Sequence, residues 1–370
     1  MENKIVLPDY KNCIANLPNS ILKKLGVTTN GDTLSLLDKY LQKDYKNIVV
    51  ILLDGMGKAI LERHLKSDGS FRSHLAGIYS STFLSTTVAA TTSVMSGLQP
   101  CQHAWLGWDC YYPQIDKNVT VFLNTEQGTK IPAADFNVAR TFTPYESILE
   151  KLDKAGVETR HIAPYLLRDE RQLNIDLICK KIKEYCNEPE RKFIYAYWNN
   201  PDGDLHSFGV EAAETHNGLT HIEKAVAELV ASLEDTLFII TADHGHLDTA
   251  GVKIQNYPKI MDCLERMPSL EPRTLNFYVK PGKEAEFENE FNKEFGSKFM
   301  LMTMQEALDK KLFGDKSPEH WHKNFRSMLG NYLAIATDDL SIFFDDDFLK
   351  SMHGGLTEEE MIIPLIVMEK

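Results

Sequence analysis

Three carboxylates, three imidazoles and one threonine stand out in this chain for where they fall. Asp54 follows the aliphatic run Asn47–Leu53 and precedes Gly55. Asp243 and His244 follow a second such run, Thr236–Ala242, and precede Gly245. Asp202 and His206 come just after the apolar stretch Phe193–Trp198, and His353 lies in Met352-His353-Gly354-Gly355. Mixed oxygen and nitrogen ligands of this kind can build two adjacent metal sites, and they suit Zn or Mn better than Ca or Mg. Asp202 and His206 make a compact ligand pair from one loop. Asp243 and His244 are sequence neighbours, and their side chains either serve two ions or embrace one from two directions.

The threonine belongs to the uncharged stretch Ser85-Thr86-Thr87-Val88-Ala89-Ala90-Thr91-Thr92-Ser93-Val94-Met95-Ser96-Gly97. Its leading hydroxyl residues are good N-caps and its closing Gly is a C-cap, so the stretch predicts a short helix starting at Thr86 or Thr87. The free N–H groups and positive dipole end of such a start favour an anion.

The elements that must hold these residues alternate. Continuous aliphatic runs at 47–53, 193–198 and 236–241 read as strands buried on both faces, as in a parallel sheet. Helices are expected at Thr143–Ala155, Glu170–Cys186 and Val210–Leu233, and shorter strands at Ile78–Phe83, Val119–Leu123 and Glu158–Pro164. The pattern predicts an α/β fold with a doubly wound, mostly parallel sheet flanked by helices. Ligands belong at the carboxyl ends of its strands, where the polar clusters fall. After about residue 260 the rhythm changes to a charged helix and short strands. We therefore expect a catalytic core over 1–260 and 330–370, with 261–329 as a small inserted α+β cap.

The 370 residues suffice for a sizeable core, and the net charge of −13 argues against a nucleic-acid polymer as partner. The six cysteines include no CxxC pair. With no apolar leader before a cleavage site and no run of about 18 apolar residues, the reading is a soluble, cytoplasmic protein with no membrane contact.

Together these motifs resemble the alkaline phosphatase superfamily, specifically its type I phosphodiesterase/nucleotide pyrophosphatase branch. The resemblance covers about residues 46–110, 190–250 and 330–368 and keeps the motifs in family order. It implies an alkaline-phosphatase-like fold and a metal-dependent hydrolase of phosphoric esters working through a phosphothreonine intermediate. Two divalent ions are implied, Zn with Mn as the alternative. Thr87, rather than Thr86, takes the place of the nucleophile and joins Asp54, Asp243 and His244 at one ion. Asp202, His206 and His353 match the ligands of the other. His246 is one residue beyond the family ligand and receives no catalytic role; it is expected to support a metal ligand from behind. His103 and Asp204 receive no catalytic role either, and His320 and His322 are expected on a helix surface.

One departure bears on the substrate. Many relatives carry Asn after His-Gly-x-x-Gly, where its amide donates to a phosphate oxygen. Here the stretch reads His103-Ala-Trp105-Leu-Gly107-Trp108, so an indole stands in that place. Trp108, Trp105, Tyr111 and Tyr112 are expected to wall a leaving group, which suits a small-molecule phosphodiester. The alternatives on the same scaffold are a phosphonate or phosphomonoester hydrolase or a phosphomutase, and outside catalysis a silent binding protein. The nucleophile region lacks Cys-x-Pro-x-Arg, which counts against a sulfatase.

Overall fold

Residues 47–53 form a strand, β1, in which every residue is buried. In the computed structural model, which describes residues 4–167, 173–346 and 348–370, β1 sits inside a six-stranded sheet. The other strands are β2 (Leu75–Ser80), β3 (Glu158–Ile162), β4 (Lys192–Trp198), β5 (Thr236–Thr241) and β6 (Ile362–Glu369). Their order is β2-β6-β5-β1-β4-β3. β5, β1, β4 and β3 run parallel, whereas β6 is antiparallel to both β5 and β2. Helices flank this sheet, as the alternation of apolar runs and amphipathic segments implies. Ile175–Cys186 buries Ile175, Ile178, Cys179 and Ile182, and Ala213–Ala231 buries Leu219, Ile222, Val226 and Leu229. These i, i+3, i+4 spacings put one apolar stripe on the core.

Register decides which residues meet. Leu53 pairs with Trp198 and Leu52 with Thr241, so β1, β4 and β5 end at one level. Asp54, the 199–202 turn and Asp243 therefore leave the sheet side by side. Backbone bonds fix the neighbourhood, with Asp54 N–H donating to Trp198 O at 3.0 Å and Asp202 N–H to Asp54 O at 2.9 Å.

Several expected boundaries move for local reasons. The helix expected at Thr143–Ala155 is Ile148–Lys154, capped by the Ser147/Glu150 box. Pro144 disfavours helical backbone at Thr143. The helix expected at Glu170–Cys186 begins at Ile175, where the Asn174 side chain accepts the Leu177 N–H. Positions 170–172 of that expectation lie outside the described residues. The 210–233 helix is trimmed to Ala213–Ala231, and the strand expected at Val119–Leu123 is Lys117–Thr120.

A second sheet has seven antiparallel strands, whose buried residues form core clusters separate from that of the first. Its order is Phe299–Thr303, Tyr332–Ala336, Thr274–Phe277, Ser269–Glu271, Asp109–Tyr112, Lys117–Thr120 and Thr125–Glu126. The 261–329 segment contributes three of these strands and the helix Glu284–Phe295, whose Phe287, Phe291 and Phe295 pack into a cluster with Phe277 and Phe299. Main-chain pairing ties the segment to flanking chain on both sides, through Leu270 to Asp109 and through Phe277 to Tyr332.

Candidate active site

The Thr-rich stretch forms a helix over Thr87–Ser96 that closes at Gly97 in the left-handed conformation, φ 74°. Thr86 is the extended N-cap residue and Thr87 the first helical one, so the two alternatives left by the sequence separate. Thr86 does not cap the helix with its side chain. Its hydroxyl donates instead to Glu271 Oε1 at 2.5 Å. The unpaired N–H groups of the first turn are then available to an anion.

Thr87 Oγ1 lies 3.4 Å from Asp54 Oδ1 and 3.2 Å from His244 Nε2. His244 Nε2 is 3.2 Å from Asp54 Oδ1 and 3.5 Å from Asp243 Oδ2. Asp243 Oδ1 accepts the N–H groups of Gly55 at 3.1 Å and His244 at 3.0 Å, while its Oδ2 is buried with no hydrogen bond. Tyr197 OH donates to Asp54 Oδ2. Gly55 is required here: its φ is +76°, and a Cβ on it would stand 3.0 Å from Asp202 Cα.

The second group gathers on Asp202 Oδ1. His246 Nε2 is 2.7 Å away, His206 Nε2 3.2 Å and His353 Nε2 3.6 Å. Asp202 and His206 occupy one turn of the helix Asp202–Phe208, rather than the loop expected from sequence, so their i, i+4 spacing places both on one face. His353 follows a two-residue ladder in which Met352 pairs with Leu247 and Ser351 with Asp248, and this ladder sets it beside His246. The stacked rings of His244 and His353, 3.7 Å between centroids, join the two groups.

Electrostatics show what the arrangement can hold. His206 Nδ1 faces Ser351 O at 2.8 Å, His353 Nδ1 faces Ser85 O at 3.2 Å, and His244 Nδ1 faces Gly245 O at 3.2 Å. A carbonyl only accepts, so each Nδ1 is the donor, and in the neutral ring the Nε2 would turn a lone pair toward a carboxylate. Acceptor against acceptor calls for a proton or a metal cation between them. Burial opposes the charged form of His244, but Asp243 and Asp54 outweigh it and push the imidazole up to about 10. Burial, reinforced by the Asp54 charge, pushes Asp243 well above the usual carboxylate range. Burial also works against Asp202, yet His206 and the bonds from His206 and His246 hold it well below that range. Burial, with the charge of His244, keeps His353 neutral, as a metal ligand must be. The buried, unbonded Asp243 Oδ2 and its neighbours Asp54 and His244 fit a divalent cation, and a second possible ligand cluster joins Asp202 to His244, His246 and His353; His206, expected in that set, stays outside the cluster although its Nε2 is 3.2 Å from Asp202 Oδ1.

His246, expected behind the ligands rather than among them, makes the shortest contact to Asp202 in the site. Its signal was the repeat of imidazole two positions after His244, directly beyond a buried strand. Burial depresses it to about 4. Glu271 was missed in the sequence; it is 3% exposed and accepts both the Thr86 hydroxyl and, at 2.7 Å, the Trp108 N–H. No motif marks it, because it reaches the site only through the pairing of Leu270 with Asp109.

A cleft of about 660 Å³ opens over Thr87, with Trp108, Asp202, His206, Glu271 and His353 among its walls. Trp108 stands there 39% exposed, edge-on to Phe122. Trp105 and Tyr111 do not join it, which corrects their expected role. Trp105 is buried, with its indole N–H on Thr143 O at 2.7 Å and its ring against Tyr145. Tyr111 packs under the Arg266 guanidinium at 4.1 Å and donates to Asp116 Oδ1 at 2.8 Å. His103 is buried on Ser93 Oγ, and His320 is exposed on a short 3-10 turn.

The mostly parallel sheet, the threonine at a helix start and two carboxylate–imidazole groups at the strand ends define an alkaline-phosphatase-like hydrolase of phosphoric esters. The profile of the type I phosphodiesterase / nucleotide pyrophosphatase family matches residues 48–355, and the chain belongs to that family. Among solved structures it is similar to murine ectonucleotide pyrophosphatase / phosphodiesterase 5 in an inactive threonine-to-alanine form bound to AMP. That likeness has 16% identity, 87% of each chain covered and a TM-score of 0.63. The human form of that protein gives 17% identity, 87% of each chain and 0.63. Phosphonoacetate hydrolase from Sinorhizobium meliloti 1021, bound to phosphonoacetate, gives 13% identity, 86% of this chain, 89% of that one and 0.64. No curated protein matches. Among the described residues no helix is long and apolar enough to cross a membrane.

Proposed function

We propose that this protein is a metal-dependent phosphodiesterase in which Thr87 is the nucleophile. The observation that carries the reading is the position of Thr87 Oγ1, 3.4 Å from Asp54 Oδ1 and 3.2 Å from His244 Nε2 at a helix N-terminus. Asp54, Thr87, Asp243 and His244 would hold one divalent cation and Asp202, His206 and His353 the other, with Zn favoured by the donor set and Mn the alternative. Such a pair supplies, when bound, Lewis-acid stabilisation of the negative charge that develops on oxygen.

The chain's own groups do the rest. The first-turn N–H groups of the Thr87–Ser96 helix receive the phosphoryl oxygens. The Thr87 hydroxyl gives up its proton toward Asp54 Oδ1, its oxygen bonds to phosphorus, and the bond from phosphorus to the leaving alkoxide breaks. The leaving alkoxide takes up the proton that Asp54 received and departs as the alcohol. Water then attacks the phosphothreonine and gives one proton to Asp54, the bond between phosphorus and Thr87 Oγ1 breaks, that proton returns to Thr87 Oγ1, and a phosphomonoester is released. Tyr197 holds Asp54 by its second oxygen, and His246 orients Asp202. Residues 261–329 act as a cap that lends the cleft one wall through Leu270 and Glu271.

The half-exposed indole of Trp108 beside Thr87 favours an ester with an apolar leaving group over a bare monoester. Phosphonate esters, phosphomonoesters and internal phosphoryl transfer call on the same threonine. Metal-reconstituted protein is expected to hold about two divalent ions per chain and to turn over an aryl phosphodiester faster than an aryl phosphonate ester or phosphomonoester. A metal content near zero, with no turnover of any of the three, would refute the reading.

A further inference from the structure

Glu271 is a carboxylic acid buried where a phosphoryl group must arrive. Its Oε1 is bound by the hydroxyl of Thr86, the residue before Thr87, and by the Trp108 N–H. Among the described residues its Oε2 takes no hydrogen bond. The side chain lines the same cleft as Thr87, and on its other flank a Cβ on Gly354, next to His353, would stand 3.2 Å from Glu271 Cβ. The backbone pins it there. Leu270 is held at φ +83°, a conformation that residues with side chains rarely adopt, and its Cα would lie 3.2 Å from a Cβ on Gly107. Strain of this kind persists where surrounding structure over-determines it, and it clusters at functional sites. The other charged groups lining the cleft are Asp109, Asp202, Lys130 and Asp345.

We propose that Glu271 sets the charge of substrate this cleft accepts, admitting the monoanion of a phosphodiester and disfavouring the dianion of a phosphomonoester. The proposal rests on the reading of Thr87 as nucleophile, because that places the phosphoryl group within reach of the Glu271 carboxylate. A fixed negative charge close to the phosphoryl oxygens acts on the second charge of a monoester and much less on a diester, whose extra oxygen carries an alkyl or aryl group. The glutamate is a specificity-determining residue, and glutamine in its place still accepts from Thr86 and Trp108 while removing the charge.

Burial pushes the Glu271 carboxyl up to about 7, against the bonds from Thr86 and Trp108 and with help from Asp109; the charge of His244 favours the charged form. At pH 8.5 the carboxylate therefore dominates, and a monoester with its second pKa near about 6 is a dianion. The test compares kcat/KM for an aryl phosphate and for the methyl ester of the same aryl phosphate at that pH, in the metal-loaded protein. Glu271→Gln is expected to raise the monoester-to-diester ratio roughly tenfold or more, and to tighten calorimetric binding of inorganic phosphate by a similar factor. A ratio unchanged while both substrates turn over, or an unchanged phosphate affinity, overturns the proposal. If the glutamine variant melts early, Glu271→Asp carries the same test: withdrawing the charge by one carbon relaxes the ratio partway, and an unchanged ratio overturns it. Wild-type protein that turns over neither ester, yet whose Glu271→Gln form binds phosphate more tightly, would contradict the Thr87 reading and leave Glu271's part intact.

Discussion

His246 Nε2 lies 2.7 Å from Asp202 Oδ1, and its Nδ1 meets Ser351 Oγ at 3.0 Å. The imidazole thus fastens the carboxylate that gathers His206 and His353 to the same short ladder that places His353. A group that orients a metal ligand typically changes metal affinity by about 10–100-fold when removed. His246→Ala is expected to weaken binding at the Asp202 group within that range while leaving the Asp54 group occupied. Chelator competition with elemental analysis reads this directly; equal loss at both groups, or none, contradicts it.

Arg273 and Glu360 form a fully buried pair that ties the second sheet to the His353 loop. Arg273 Nε is 2.6 Å from Glu360 Oε1, and the guanidinium also donates to Asp338 O and Leu340 O. Glu360 in turn accepts the Gly355 N–H at 2.8 Å, two residues after His353. Breaking such a pair leaves an unpaired buried charge, so Glu360→Gln is expected to cost about 3–5 kcal/mol in chemical denaturation. Burial works against the Glu360 carboxylate, but Arg273 and the bonds it accepts hold its pKa below the usual value. That stabilisation is complete above the unfolded value of about 4.3 and is lost as pH falls through the lower folded value. The acid limb of the stability curve is expected to flatten in the variant.

Of the four aromatics expected from sequence, Trp105, Trp108, Tyr111 and Tyr112, Trp108 alone lines the cleft, and Tyr112 is fully buried. Trp108→Ala is expected to raise KM for an aryl diester several-fold and to leave kcat nearly unchanged, because the ring contributes binding that ground and transition state share. A fall in kcat at constant KM would place the indole, or its main chain on Glu271, in the chemical step.

Much of this site was legible before the fold was known, and the reason is geometric. Asp54 and Asp243 each terminate an aliphatic run, and parallel strands in register bring such ends together whatever the helices do. The Thr87 helix announced itself by hydroxyl caps and a closing Gly97. What sequence did not reveal depends on antiparallel pairing over long separations. Leu270 meets Asp109 from across the chain, and only that contact brings Glu271 to Thr86. Trp105, Trp108 and Tyr111 are close in sequence, yet the fold sends one into the core, one into the cleft and one beneath Arg266. Composition could not separate the three, because an aromatic side chain suits a core and a cleft equally well.

The central claim concerns one oxygen, Thr87 Oγ1. The direct measurement is steady-state turnover of an aryl phosphodiester by metal-loaded Thr87→Ala, with Thr86→Ala and metal content recorded alongside. The account expects a loss of about 10³-fold or more in kcat for Thr87→Ala with metal content largely kept, and a much smaller loss for Thr86→Ala. Full activity in Thr87→Ala, or the reverse ranking of the two threonines, would contradict it.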